Sequence, residues 1–76
     1  MGLSISDDAL AVAGLLHEDL AERRQSMQTN EFGVDYVMEM ARSLISQLGA
    51  DCEPPCVLLA LQKQYGVSRT GHAYRI

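Results

Sequence analysis

Apolar residues recur along the first part of the chain with the spacing of an α-helix. Ala9, Ala13 and Leu16 follow one another at intervals of four and three residues, which places them on one helical face. Ser6 stands before this run as a plausible N-cap, and two aspartates follow it where the helix dipole favours negative charge. The pattern predicts a helix over about residues 6–27.

The clearest amphipathic stretch lies in the middle of the chain. Asn30 can cap its start, and Gly49 can end it in the left-handed conformation that glycine tolerates. We therefore predict a second helix over about residues 31–48. Its apolar positions fit one helical face without a gap: Val37, Met40, Ala41, Leu44, Ile45 and Leu48.

A third helix is predicted over about residues 54–65. Two prolines open it, where the missing amide hydrogens would have had no partner within the helix, and Gly66 ends it. Residues 57–61 are apolar on nearly every side, which is typical of a segment that is central in the fold or lies in an interface. The remaining segment 68–76 is predicted to form a short turn or helix.

These elements predict an all-α fold, a small bundle of three main helices with a short C-terminal turn or helix, in one domain over residues 1–76. A chain of 76 residues buries only about 60% of its unfolded surface. Yet 47% of the residues are hydrophobic. Because the three helices carry more apolar surface than one short chain can cover, we expect a homodimer.

The chain has no apolar run near the length of about 18 residues that a membrane span needs. A basic start followed by an apolar core, which would mark a secretory signal, is also missing from the sequence. The expectation is a cytoplasmic protein that does not act at a membrane.

The net charge of −4 hides an uneven distribution. All ten acidic residues and three of the six basic ones lie within residues 1–53, so that part carries −7 and residues 54–76 carry +3. An acidic body with a basic end can indicate a polyanionic partner, and it can equally indicate head-to-tail attraction within a dimer.

Binding to another protein is the function that these features favour. Acidic residues on the first two helices can steer a partner, methionine is an adaptable contact residue, and tyrosine is enriched in interfaces. For the tyrosines, packing of Tyr65 within the fold and fraying of Tyr74 with the terminus stay open as alternatives. The candidate contact residues are Glu18, Asp19, Glu22, Met38, Tyr65 and Tyr74.

The segment ALQKQYGVSRTG, residues 60–71, resembles the central part of helix-turn-helix repressors. Ala60 or Leu61 would pack in the first helix, Gly66 would turn the chain, and Val67 would enter the core. The resemblance implies DNA binding as an alternative function, by a dimer that uses residues 66–75. The residues that would contact DNA are Ser68, Arg69, Thr70 and Arg75. A helix stop followed by a capped turn explains the same segment.

The two cysteines, spaced C-x-x-x-C, are a weak alternative metal site. Structural zinc needs four ligands, and Cys52 and Cys56 would have to be joined by His17 and His72 from distant parts of the chain. A small core residue at Cys56 and a loop thiol at Cys52 are the favoured interpretation, so we predict no metal or other cofactor.

Catalysis is not predicted. The carboxylate pairs fall on polar faces or at helix starts, where solvation and the helix dipole account for them. A chain this small also has little room for a substrate cavity of about 300 Å³ or more. We therefore expect a non-catalytic regulator or adaptor that acts through an acidic helical surface.

Overall fold

A computed structural model describes residues 5–76 as three helices and a small antiparallel sheet. The prediction of an all-α fold is therefore wrong, because the fold is mixed α and β. The elements in chain order are α1 (Asp7–Met27), β1 (Glu31–Gly33), α2 (Val34–Leu48), α3 (Pro54–Tyr65), β2 (Ser68–Thr70) and β3 (Ala73–Arg75).

The first helix begins and ends close to its predicted bounds. The Ser6 hydroxyl accepts a hydrogen bond from the backbone N–H of Ala9 at 3.1 Å, which satisfies one of the free amides of the first turn. Asp7 and Asp8 follow in that turn, at the positive end of the helix dipole. Gln28, with φ of 54°, turns the chain out of the helix.

The sheet has the order β1-β3-β2, so its central strand is the last one in the chain. Phe32 pairs with Tyr74 across β1 and β3, and both side chains are buried at 3% and 2% exposure. The tight turn between β2 and β3 contains Gly71, whose φ of 60° suits glycine. The segment 68–76, predicted as a terminal turn or helix, is therefore a β-hairpin whose last strand joins β1.

The second helix begins three residues later than predicted. Residues 31–33 pair with β3, and Gly33 is still extended, with φ of −59° and ψ of 147°. The end of this helix agrees with the prediction, since Gly49 has φ of 63° and its N–H bonds to the carbonyls of the last turn. The third helix has its predicted bounds, with Pro54 at its first position and Gly66 at its end.

The core lies where α1 packs against α2 and α3, and the sheet closes one side of it. Four alanines of the three helices are fully buried, which allows the helix backbones to approach closely. The second helix is covered least, since Val37 and Ala41 are its fully buried residues. The core consists of Ala9, Val12, Ala13, Leu16, Leu20, Phe32, Val37, Ala41, Val57, Leu58, Ala60, Leu61, Val67 and Tyr74.

Within residues 5–76, none of the helices combines the length and the apolar character that crossing a bilayer would require.

Leu15 and Leu16 make a matched pair for testing this core. Leu16 is fully buried, whereas Leu15 is 40% exposed. We expect Leu16→Ala to lower the free energy of unfolding by about 2–5 kcal/mol, because it leaves a cavity among packed side chains. Leu15→Ala should lower it by less than about 1 kcal/mol. Urea denaturation followed by circular dichroism measures both, and equal losses would contradict this assignment of the buried face.

Candidate interaction surfaces

The outer side of α1 carries an acidic face, defined here by Leu15, Glu18, Asp19, Glu22 and Gln25. These positions recur at intervals of three and four residues, so they lie along one side of the helix. They line a shallow concavity of about 480 Å³. Glu18 and Glu22 are exposed and Asp19 is half-buried, so the structure brings these three predicted contact residues together.

The carboxylates of the acidic face are not neutralised within the described chain. Its two ion pairs, Arg42 with Glu39 and Arg75 with Glu31, lie elsewhere. Arg23 borders the face, but its guanidinium carbon lies 5.8 Å from the ring centroid of Tyr36, on α2. The face therefore offers an exposed leucine next to unpaired negative charge.

Tyr65 extends this surface from the end of α3. Its ring stacks on His17, with 5.1 Å between the ring centroids, and is 41% exposed. Tyr65, His17, Leu15 and Glu18 share a second shallow concavity of about 340 Å³. The predicted contact residue Tyr65 thus adjoins the acidic face, packed at one edge and accessible at the other.

A third concavity, of about 300 Å³, lies between α2, α3 and the hairpin, and we call it the α2–α3 groove. It is lined by Val34, Met38, Pro55, Leu58, Leu59, Gln62, Arg69 and Tyr74. The predicted contact residues Met38 and Tyr74 both belong to it. Tyr74 is 2% exposed, so its ring is part of the core rather than a frayed end.

Arg69 is the one charged residue that lines the α2–α3 groove. Its Nε donates a hydrogen bond to the carbonyl of Gly71 at 3.2 Å, and its guanidinium carbon lies 5.8 Å from the ring centroid of Tyr74. No carboxylate of residues 5–76 forms an ion pair with it. The arginine is therefore held in place while its charge stays available at the groove.

The hairpin rules out the predicted geometry for DNA binding by residues 66–75. Ser68, Arg69 and Thr70 lie on the exposed edge strand β2, and Arg75 pairs with Glu31 at 2.8 Å. These residues form no helix that could enter a major groove. The helix-turn-helix assignment of this segment is wrong, because strand pairing with β1 and β2 holds the end of the chain extended.

A helix-turn-helix connection does exist one element earlier, where five residues join α2 to α3 and the hairpin follows as a wing. Pro55, Leu59 and Gln62 lie along one side of α3, where Pro55 is exposed and the other two are half-buried, and all three line the α2–α3 groove. Lys63 is the one base of α3, and two acidic residues precede the helix start. This helix therefore offers a single cation for contacts to phosphate.

The candidate metal ligands do not converge. Cys52 and Cys56 are free thiols at the start of α3, His17 stacks on Tyr65 near its end, and His72 lies in the turn of the hairpin. Across residues 5–76, no three His, Cys, Asp or Glu side chains come together as a metal site. Partial burial, followed by the nearby Asp8 carboxylate, raises the pKa of the Cys52 thiol.

Sequence reasoning did not identify Leu15 as an exposed residue or Leu59 as part of a groove. Leu15 is 40% exposed although it directly precedes the fully buried Leu16. Leu59 lies in an apolar run in which periodicity cannot distinguish the buried side from the outward side. The exposed carboxylates around Leu15 were the available signal for the acidic face.

Family models, curated proteins and solved structures were all compared with this chain, and none of them matches it.

The two thiols should differ in reactivity. Cys52 is half-buried with a raised pKa, whereas Cys56 is exposed, so the predicted placement of Cys56 in the core is wrong. Since the thiolate is the nucleophile, we expect iodoacetamide at neutral pH to modify Cys56 several-fold faster than Cys52. Because its pKa is raised, the protonated Cys52 thiol stabilises the fold below the ordinary pKa of cysteine. This stabilisation is lost as the pH rises through the raised pKa. Mass spectrometry of briefly alkylated protein measures the ratio, and equal rates would contradict this placement.

Gly14 is a position where a methyl group has opposing effects. A Cβ there would lie 2.9 Å from the Tyr65 hydroxyl, so the exposed end of that side chain must move. Alanine favours the helix by about 0.8–1 kcal/mol over glycine. We expect Gly14→Ala to raise the free energy of unfolding in a Tyr65→Ala background by that amount, and by less when Tyr65 is present. Urea denaturation of the four proteins measures the difference, and an equal gain in both backgrounds would show that Tyr65 does not pack on Gly14.

Proposed function

We propose that this protein is a non-catalytic regulator or adaptor that binds protein through the acidic face of α1 and works as a homodimer. The observation that carries this proposal is Leu15, 40% exposed and surrounded by carboxylates that have no cationic partner within residues 5–76. A large aliphatic side chain in water beside unpaired charge is the composition of a contact surface with an apolar anchor and a polar rim.

The arrangement defines the kind of surface that would fit it. Leu15 needs an apolar pocket, and Glu18 and Glu22 need cations placed beside that pocket. Opposite charges across a contact raise the rate of encounter and reject partners with like charge. The apolar contact then supplies most of the affinity, because exposed ion pairs are worth only about 0.2–1 kcal/mol each. The partner surface is therefore apolar at its centre and basic at its edge.

Exposure favours binding over chemistry for these carboxylates. General acid–base catalysis uses a group whose environment sets its pKa and whose position is fixed against a reacting atom. Glu18 and Glu22 instead project from a helix surface into water. The winged helix-turn-helix connectivity does not change this assignment, because function depends on the site rather than on the fold.

Single charge reversals on α1 test the proposal. We expect Glu18→Lys and Glu22→Lys each to reduce the amount of bound partner about three- to tenfold, through repulsion of a basic partner surface, without unfolding the protein. The measurement is quantitative mass spectrometry of proteins retained on the immobilised chain, followed by titration of the purified candidate.

Glu39→Lys is the control, because it makes the same change of charge at an exposed position of α2 and removes only the exposed ion pair with Arg42. It should leave capture unchanged. If all three variants retain the same proteins in the same amounts, the acidic face of α1 is not the binding surface and the proposal fails.

A further inference from the structure

We propose that the partner of the acidic face is the α2–α3 groove of a second copy of this chain. Leu15 of one copy would occupy the groove of the other, and Glu18 and Glu22 would lie against Arg69. This inference rests on the proposed function of the acidic face and names its partner.

The groove has the chemistry that the acidic face requires. Six of its eight lining side chains are apolar or aromatic, and Arg69 is the one charge among them. Met38 is flexible and can adjust to an inserted side chain. The hydrogen bond to the Gly71 carbonyl and the Tyr74 ring hold the guanidinium beside the apolar lining. The groove is thus apolar at its centre and cationic at one edge.

The dimensions of the groove fit an inserted side chain. A volume of about 300 Å³ is at the lower limit of small-molecule pockets, which range from about 300 to 1,000 Å³. Such a space accepts one or two aliphatic side chains from a docked helix. Leu15 is the exposed leucine of α1, and Glu18 follows it by three residues on the same side.

Charge distribution favours a second copy as the occupant. All ten acidic residues lie within residues 1–53, whereas the groove's arginine belongs to residues 54–76, which contain no acid. The acidic face and the groove share no lining residue, so one folded chain can present both surfaces at once. Two copies therefore attract one another through surfaces that do not compete within either copy.

Each copy offers one face and one groove, which allows two assemblies. If both contacts form in the same pair, the result is a closed dimer with two-fold symmetry. If the orientation permits one contact per pair, the contact is head-to-tail and the assembly grows with concentration.

Sedimentation velocity over a range of protein concentrations tests the contact. The wild-type chain of 8.3 kDa should reach at least twice its monomer mass. Arg69→Glu sets acid against acid, and Glu18→Lys with Glu22→Lys sets base against base, so each variant alone should associate at least tenfold more weakly. Circular dichroism confirms that both variants are folded.

An equal mixture of the two variants provides the decisive measurement. Each contact in a mixed pair again joins opposite charges, so the mixture should associate at least tenfold more tightly than either variant alone. Glu39→Lys changes a residue of α2 that lines neither the acidic face nor the α2–α3 groove, so this variant should associate like the wild type.

A wild-type chain that stays monomeric at all concentrations overturns the inference, as does a mixture that fails to associate. If the wild type is monomeric while Glu18→Lys and Glu22→Lys still lose a captured protein, the acidic face keeps its proposed role in binding a different protein, and the homodimer is rejected. If capture is also unchanged, both proposals fail.

Discussion

The pairing of Phe32 with Tyr74 joins the last strand of the chain to the short strand between α1 and α2. Tyr74 lies on the central strand β3, which pairs with β1 on one side and with β2 on the other, while the ring of Tyr74 packs into the core. Additional backbone hydrogen bonds from Val34 to His72 and from Ile76 to Asn30 fasten the same strand. Through these bonds the last strand sets where α2 begins, and the ring of Tyr74 lies beside Arg69 at the groove.

The helices could be predicted from the sequence because each has a local start and stop. Ser6, Gly49 and Gly66 act within a turn of their own position, so their effect needs no knowledge of the rest of the fold. The sheet could not be predicted in this way. Each strand has three residues, too few for an alternating pattern, and β1 meets β3 across about 40 residues of intervening chain. Burial of Tyr74 was therefore invisible in a segment that resembled a polar tail.

The same difference between local and distant information applies to the surfaces. Glu18, Asp19 and Glu22 could be grouped from sequence because they lie on one helix, where spacing alone places them together. The α2–α3 groove combines Met38, Leu59 and Arg69 from three elements, and their meeting depends on the hairpin. Met38 was identified as a contact residue by its residue type, and Arg69 by a helix-turn-helix resemblance whose geometry is wrong. Neither of these predictions placed Met38 and Arg69 together in a groove.

In such a contact, the affinity and the choice of the surface that is bound come from different residues. Burying a leucine contributes about 1.5–3 kcal/mol wherever it finds an apolar pocket, and that attraction has no direction. An exposed pair between Arg69 and a glutamate contributes less than about 1 kcal/mol, yet it depends on sign and position. In a chain with −7 on one part and +3 on the other, like parts repel and unlike parts attract. The leucine thus contributes affinity that any apolar pocket could provide, and the uneven charge determines which surface the leucine binds.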